Sequence, residues 1–70
     1  MMPLTFCPEG EENIIKRIGG KEDVKRHLEN LGFFPGGTIT VVTQTGGNLI
    51  VNIKESRVAV SKEMAAKIMV

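Results

Sequence analysis

The sequence predicts a mainly β domain with one or two short helices, folded into a small antiparallel barrel. Apolar and polar residues alternate along several short segments, one segment has helical periodicity, and Gly or Pro clusters separate them. Seventy residues suffice for one domain, residues 1–70, and leave no room for a second. A closed barrel is favoured because closure removes exposed strand edges; an open sheet with a helix packed on it is the alternative.

The first predicted strand follows a turn at residues 8–10, Pro-Glu-Gly, where Pro presets a turn dihedral and Gly tolerates positive φ. It covers Asn13–Ile18 and ends at two glycines. The spacing of its isoleucines suits neither regular state well, so we expect a kinked strand with Ile14 and Ile18 inside. The residues before the turn form an N-terminal arm, the one linker candidate in the chain.

Residues 21–31 have the apolar spacing of an amphipathic helix, with Val24, Leu28 and Leu31 at i, i+4 and i+7. Two acidic residues lie in its first turn, where the helix dipole favours negative charge. Gly32 follows directly and suits a left-handed C-terminal cap. The sequence therefore predicts a helix over Lys21–Leu31.

A β-hairpin is predicted from residue 38 to residue 54. Its strands read TITVVTQT and NLIVNIK, and the Gly46-Gly47 pair between them suits the primed turns of two-residue hairpins. Alternation places one set of side chains on a common face. That face is expected to hold Ile39, Val41 and Thr43 from the first strand, and Leu49, Val51 and Ile53 from the second.

The C-terminal part continues the sheet through a tight connection at Glu55-Ser56, after which Val58 and Val60 alternate in a third antiparallel strand. Ser61 suits the N-cap of a short helix over residues 62–66, because its hydroxyl can accept a hydrogen bond from the first turn. Residues 68–70, Ile-Met-Val, are apolar enough to pair as a last strand.

The charge balance speaks against several function classes. Nine basic and eight acidic side chains give a net charge of +1, and neither half of the chain carries a strong field of one sign, which disfavours nucleic-acid binding. No signal peptide and no apolar run of about 20 residues is present, so neither secretion nor membrane insertion is expected. The single Cys7 cannot form an internal disulfide, and the chain reads as cytoplasmic.

Catalysis is not expected, because one histidine and no phosphate-binding loop offer no catalytic constellation. Two glycines before the helix could present N–H groups to an anion, although a flexible strand-to-helix turn is the favoured interpretation. The sequence names no catalytic residue and no cofactor.

Metal binding has weak candidates only. Asp23 and His27 lie at i and i+4 of the predicted helix, a spacing that allows either two metal ligands or a simple hydrogen-bonded pair. Cys7, Glu12 and Glu22 are the nearest residues that could complete a site, and none has metal-ligand spacing. Cys7 is interpreted as a small apolar plug or an exposed thiol.

The loop Gly32-Phe33-Phe34-Pro35-Gly36-Gly37 is the most informative segment, because two adjacent aromatic side chains can rarely both be buried. In the favoured interpretation Phe33 fills the core and Phe34 covers it. In the other, the loop forms an apolar docking patch, whose candidate partner-binding residues are Phe33, Phe34, Pro35 and Gly36. Met64 and Met69 could extend that patch, with the core the favoured role for both. A cationic fringe is a further candidate, formed by Lys16, Arg17, Lys25 and Arg26.

The order of elements resembles the FeoA family over the whole chain. The resemblance rests on the Pro-Glu-Gly arm, the helix with Leu28 and Leu31, the loop LGFFPG, the Gly-Gly hairpin, and the ending that carries Ala66, Ile68 and Val70. One departure is Ser61, where such sequences often have a basic residue. The resemblance implies a single SH3-like barrel.

The function implied by the resemblance is that of a small cytoplasmic accessory protein of ferrous iron uptake. It would bind the cytosolic part of the membrane iron transporter FeoB and modulate its transport or nucleotide turnover. The alternative is a metal-responsive regulatory module related to the SH3-like domain of iron-dependent repressors. A core this small is marginal, so stabilisation by a partner or by weak self-association is also expected.

Overall fold

Six short strands and two helices make up the fold in the computed structural model, which describes residues 1–54 and 56–70. A 3₁₀ turn at Leu4–Phe6 precedes them. In chain order the elements are β1 (Glu12–Ile14), β2 (Arg17–Ile18), α1 (Glu22–Leu31), β3 (Thr38–Thr45), β4 (Asn48–Ile53), β5 (Ser56–Ser61), α2 (Lys62–Ala65) and β6 (Ile68–Met69). The mainly β class with two short helices is therefore confirmed.

The strands form two antiparallel sheets rather than one closed ladder. β1, β3, β4 and β5 pair in that spatial order, and β2 pairs separately with β6. The expected strand over residues 13–18 is interrupted at Ile15 and Lys16, which separate β1 from β2. The chain therefore leaves the four-stranded sheet and enters the two-stranded sheet at the predicted kink. One predicted strand is thus two in the structure.

The buried core lies between the sheets and the helices. It consists of Leu4, Cys7, Ile15, Ile18, Leu28, Phe33, Ile39, Val41, Leu49, Val51, Ile53, Val60, Ala65, Ile68 and Val70, and the partly buried Met2, Val24, Leu31, Val58 and Met64 pack against it. The predicted core positions of the hairpin and of both helices are confirmed, apart from Thr43.

Ile14 was expected inside, and that prediction is wrong. Its side chain is 54% exposed, whereas that of Ile15 is 1% exposed. The register explains the difference, because Asn13 pairs with the buried Ile39 and Ile14 pairs with the exposed Thr38. Alternation along β1 therefore turns Ile14 outward and Ile15 inward.

Thr43 was also placed on the wrong face. A register irregularity between Val41 and Thr43 interrupts the pairing of β3 with β4, so that Thr43 lies opposite Ile50 while Val41 lies opposite the buried Val51. One extra residue in a strand reverses the face of every residue after it. The bulge thus removes Thr43 from the core face.

The N-terminal arm is part of the fold and not a linker. Leu4 and Cys7 are buried, Pro3 bridges to Met69, and Met2 and Val70 exchange two backbone hydrogen bonds of 2.9 Å. The predicted turn at residues 8–10 is present, and the Gly10 N–H donates to the Val41 carbonyl over 2.8 Å.

The local signals at the helix ends and at the last strand are confirmed. Ser61 Oγ accepts a hydrogen bond from the Met64 N–H over 3.2 Å, as expected of an N-cap, and β6 pairs with β2. In the predicted Glu55-Ser56 connection, Glu55 lies outside the described residues, and Ser56 is already the first residue of β5.

Candidate partner-binding surface

The C-terminus of α1 determines which of the two adjacent phenylalanines is buried. Gly32 has φ 106°, its N–H donates to the Glu29 carbonyl over 2.9 Å, and the Phe33 N–H donates to the Leu28 carbonyl over 3.0 Å. This pair of bonds is a Schellman motif, which commonly directs the next side chain onto the helix. Phe33 is accordingly fully buried, as its predicted core role requires, and its inclusion among the candidate partner-binding residues is wrong because none of its surface is accessible.

Phe34 begins a β-turn that closes at Gly37. The Gly37 N–H donates to the Phe34 carbonyl over 3.0 Å, Pro35 occupies the second position, and Gly36 has φ 91° in the third. Pro followed by a residue with positive φ is the signature of a type II turn. Phe34 is 49% exposed, and Pro35 and Gly36 are exposed beside it.

Two backbone hydrogen bonds fix this turn against the segment between β1 and β2. The Gly36 N–H donates to the Ile15 carbonyl over 2.7 Å, and the Ile15 N–H donates to the Gly37 carbonyl over 2.8 Å. The exposed Ile14 precedes Ile15 directly. We call the surface made by Ile14, Phe34, Pro35 and Gly36 the turn surface.

Ile14 is the member of the turn surface that sequence reasoning missed. With Phe34 it is one of four large hydrophobic residues exposed in the described part of the chain, the others being Met1 and Phe6. In a strand with Ile15 on the core side, alternation of side chains would have predicted that Ile14 is exposed. The run of isoleucines concealed that signal.

The expected cationic fringe is divided. Lys16 and Arg17 are exposed, and both are tied to the C-terminal strand, since the Lys16 N–H donates to the Met69 carbonyl over 2.8 Å and Arg17 pairs with Met69. Lys25 and Arg26 belong to α1, where Lys25 is half-buried and Arg26 exposed. The four basic residues therefore belong to two separate segments of the chain.

The metal candidates do not form a cluster. Asp23 and His27 are both exposed on α1, and Asp23 Oδ1 accepts a hydrogen bond from the Val24 N–H over 3.0 Å. Cys7 is buried, and burial together with the nearby Glu11 charge raises the pKa of its thiol. Among residues 1–54 and 56–70, no group of three His, Cys, Asp or Glu side chains could hold a metal ion.

The two glycines before α1 belong to a structural turn. The Gly19 N–H donates to the Lys67 carbonyl over 2.6 Å, so it is engaged within the fold. No pocket opens in the part of the chain that the structure describes. No helix among those residues is long and apolar enough to cross a membrane.

The fold and this surface define a small SH3-like β domain in which backbone hydrogen bonds hold an exposed loop that carries Phe34. The chain belongs to the FeoA domain family, which matches residues 2–70 and comprises accessory proteins of ferrous iron transport. The expectation drawn from the loop LGFFPG and the order of elements is thereby confirmed.

Three similar proteins illustrate the relationship. A protein of Methanocaldococcus jannaschii named as an Fe(2+) transport protein A is 36% identical over 70 residues, which are all of this chain and 85% of that protein. A crystal structure of an iron uptake regulatory protein (FeoA) is 28% identical, with a TM-score of 0.86 over 96% of this chain and 89% of that one. Stenotrophomonas maltophilia FeoA, described as a prokaryotic SH3 domain protein and crystallised with zinc, shares the fold at 21% identity, with a TM-score of 0.85 over 99% of this chain and 88% of that one.

Proposed function

We propose that residues 1–70 form a single FeoA-type domain that works in the cytoplasm as an accessory of ferrous iron uptake. It binds the cytosolic region of the membrane transporter FeoB and modulates transport or nucleotide turnover without chemistry of its own. Membership of the FeoA domain family supports the transport role. The half-exposed Phe34, held on a hydrogen-bonded turn, is the observation that carries the docking role.

The turn surface suits docking because it is both apolar and ordered. Hydrogen bonds to Ile15 hold the turn before any partner arrives, so binding orders little additional backbone. Burying a whole Phe side chain contributes about 1.5–3 kcal/mol, and about half of the Phe34 side chain remains to be buried. Phe34 alone therefore contributes about 1 kcal/mol to the affinity for a partner.

The docking role is tested by isothermal titration calorimetry of Phe34→Ser against the purified cytosolic region of FeoB. We expect the dissociation constant to rise about five- to tenfold, since about 1.4 kcal/mol corresponds to a factor of ten. Phe6→Ser is the matched control, because Phe6 is 73% exposed but lies in the 3₁₀ turn and outside the turn surface. An unchanged affinity for Phe34→Ser, or an equal loss for Phe6→Ser, would contradict the proposal.

Two other functions predict different results in companion measurements. A metal-responsive regulatory module predicts that added Fe²⁺ or Zn²⁺ shifts the amide NMR signals around Asp23 and His27 at low ion concentration. A nucleic-acid binder predicts binding to mixed RNA with a steep dependence on salt. We expect neither, because Asp23 and His27 are exposed on α1 without a third ligand among the described residues, and the net charge is only +1.

A further inference from the structure

The outer face of the four-stranded sheet is almost free of charge. Strand pairing and alternation place one set of side chains on the side opposite the core. We call this the outer sheet face, and it consists of Glu12, Ile14, Thr38, Thr40, Thr43, Thr45, Asn48, Ile50, Asn52, Arg57, Ala59 and Ser61. Glu12 and Arg57 are the charged members of this set, in a chain where 24% of residues are charged.

The two charges lie at opposite ends of one row across the sheet. Glu12 pairs with Thr40, Thr40 with Asn52, and Asn52 with Arg57. The acidic end of the row is thus on edge strand β1 and the basic end on edge strand β5. The Arg57 side chain is held towards the face, because its Nε donates to Asn52 Oδ1 over 3.2 Å.

This arrangement is complementary to itself. Consider a two-fold axis that runs parallel to the strands and passes between β3 and β4, midway between two facing sheets. Rotation about it places β1 of one copy over β5 of a second copy, and each row of paired residues then faces the same row of the other copy. Glu12 of each copy then faces Arg57 of the other, so that two ion pairs form. An axis perpendicular to the strands would instead oppose like charges, so the charges select one orientation.

The centre of the outer sheet face provides contact without charge. Ile50 lies between Thr43 and Ala59 in the next row, and both Ile50 and Thr43 are half-buried. In the two-fold arrangement β4 packs over β3 of the second copy, so Ile50 meets the Thr43 methyl group. Two twisted sheets pack in this way about 10 Å apart.

We propose that the outer sheet face joins two copies of this chain in a weak homodimer, with Glu12 of each copy opposite Arg57 of the other. Four strands spaced about 4.8 Å apart give a face of about 20 by 20 Å, so that about 800 Å² is buried in total. Stable interfaces bury about 1,200–2,000 Å². The dimer therefore forms at high protein concentration, and Ile14 is a residue that the outer sheet face shares with the turn surface.

Sedimentation equilibrium tests the dimer from about 20 µM to about 2 mM protein. At about 10 mM ionic strength, where charges act over about 30 Å, the average mass is expected to rise from 7.6 kDa towards twice that value. Amide NMR shifts that change with concentration are expected around Thr43, Ile50 and Asn52. A chain that stays monomeric throughout this range, or shifts that map elsewhere, would overturn the proposal.

Charge reversal tests the orientation. Glu12→Arg and Arg57→Glu are each expected to raise the dimer dissociation constant about tenfold, because each replaces two attractive pairs by two repulsive ones. The double variant restores both pairs and the net charge, and it is expected to dimerise like the parent chain. Glu63→Arg, at an exposed position of α2, changes the net charge as Glu12→Arg does and is the control. A dimer that the single reversals leave unchanged, or that the double variant fails to restore, would contradict this packing.

Discussion

Two adjacent isoleucines should differ sharply in their contribution to stability. Ile15 is 1% exposed and Ile14 is 54% exposed. Shortening a buried Ile to Val costs about 0.5–1.5 kcal/mol and shortening it to Ala about 2–5 kcal/mol, whereas surface changes stay within about 0.5 kcal/mol. A domain of this length is stable by about 4–10 kcal/mol in total. Ile15→Ala should therefore remove much of the free energy of unfolding, and Ile15→Val a measurable fraction.

Urea unfolding followed by far-UV circular dichroism measures this difference, because the chain has neither Trp nor Tyr for fluorescence. For a slope of about 1 kcal/mol per molar urea, Ile15→Val should lower the midpoint by about 1 M. Its backbone bonds to Gly36 and Gly37 remain, so the loss reports side-chain packing alone. Ile14→Val and Ile14→Ala are the matched controls. Equal losses at both positions would refute the assigned register of β1.

Two further predictions concern backbone conformation and pH. Gly32→Ala should lower the free energy of unfolding by about 1–2 kcal/mol, because φ is 106° and the added Cβ would lie 3.0 Å from Ile53 Cδ1; Gly47→Ala, with open space around it, is the control in the same urea assay. The raised pKa of Cys7 means that the folded state favours the protonated thiol. The contribution of the protonated thiol to the free energy of unfolding is complete below the ordinary thiol pKa of about 8.5. It is lost as the pH rises through the pKa of Cys7 in the folded state. The urea midpoint should thus fall at alkaline pH, less steeply in Cys7→Ala, and an identical pH slope in both proteins would contradict the prediction.

Local patterns predicted most of the fold because they depend on neighbours in the chain. The helix over residues 22–31 follows from its apolar spacing and from Gly32, and the Ser61 cap follows from one hydroxyl before a short helix. Between the turn and the bulge, the hairpin register follows from a two-residue Gly-Gly connection between alternating strands. Each of these signals lies within a few neighbouring residues, so it can be recognised in the sequence without knowledge of tertiary contacts.

The predictions that were wrong depend on contacts between distant residues. The inward face of β1 is set by its pairing with β3, which reverses the expected positions of Ile14 and Ile15. The bulge before Thr43 has no Gly or Pro to mark it. The N-terminal arm is held by Met69 and Val70, at the other end of the chain. No pattern within either segment could show such partners.

The docking candidate was predictable in part. Two adjacent aromatics after a helix cap must divide between inside and outside, and the Schellman motif assigns Phe33 to the inside. Alternation could have shown that Ile14 is exposed, but not that it lies near the turn, because two long-range hydrogen bonds bring Ile15 to Gly36 and Gly37. The involvement of Phe34, Pro35 and Gly36 in binding stays a prediction.

The pairing of β2 with β6 has a consequence for the kinetics of folding. Ile18 lies opposite Ile68, so this two-stranded sheet joins residues about fifty positions apart. Closing so long a loop costs conformational entropy before the contact between the strands can stabilise the fold. Domains rich in such long-range contacts fold slowly for their size. During synthesis Ile18 therefore has no strand partner until residue 68 has left the ribosome.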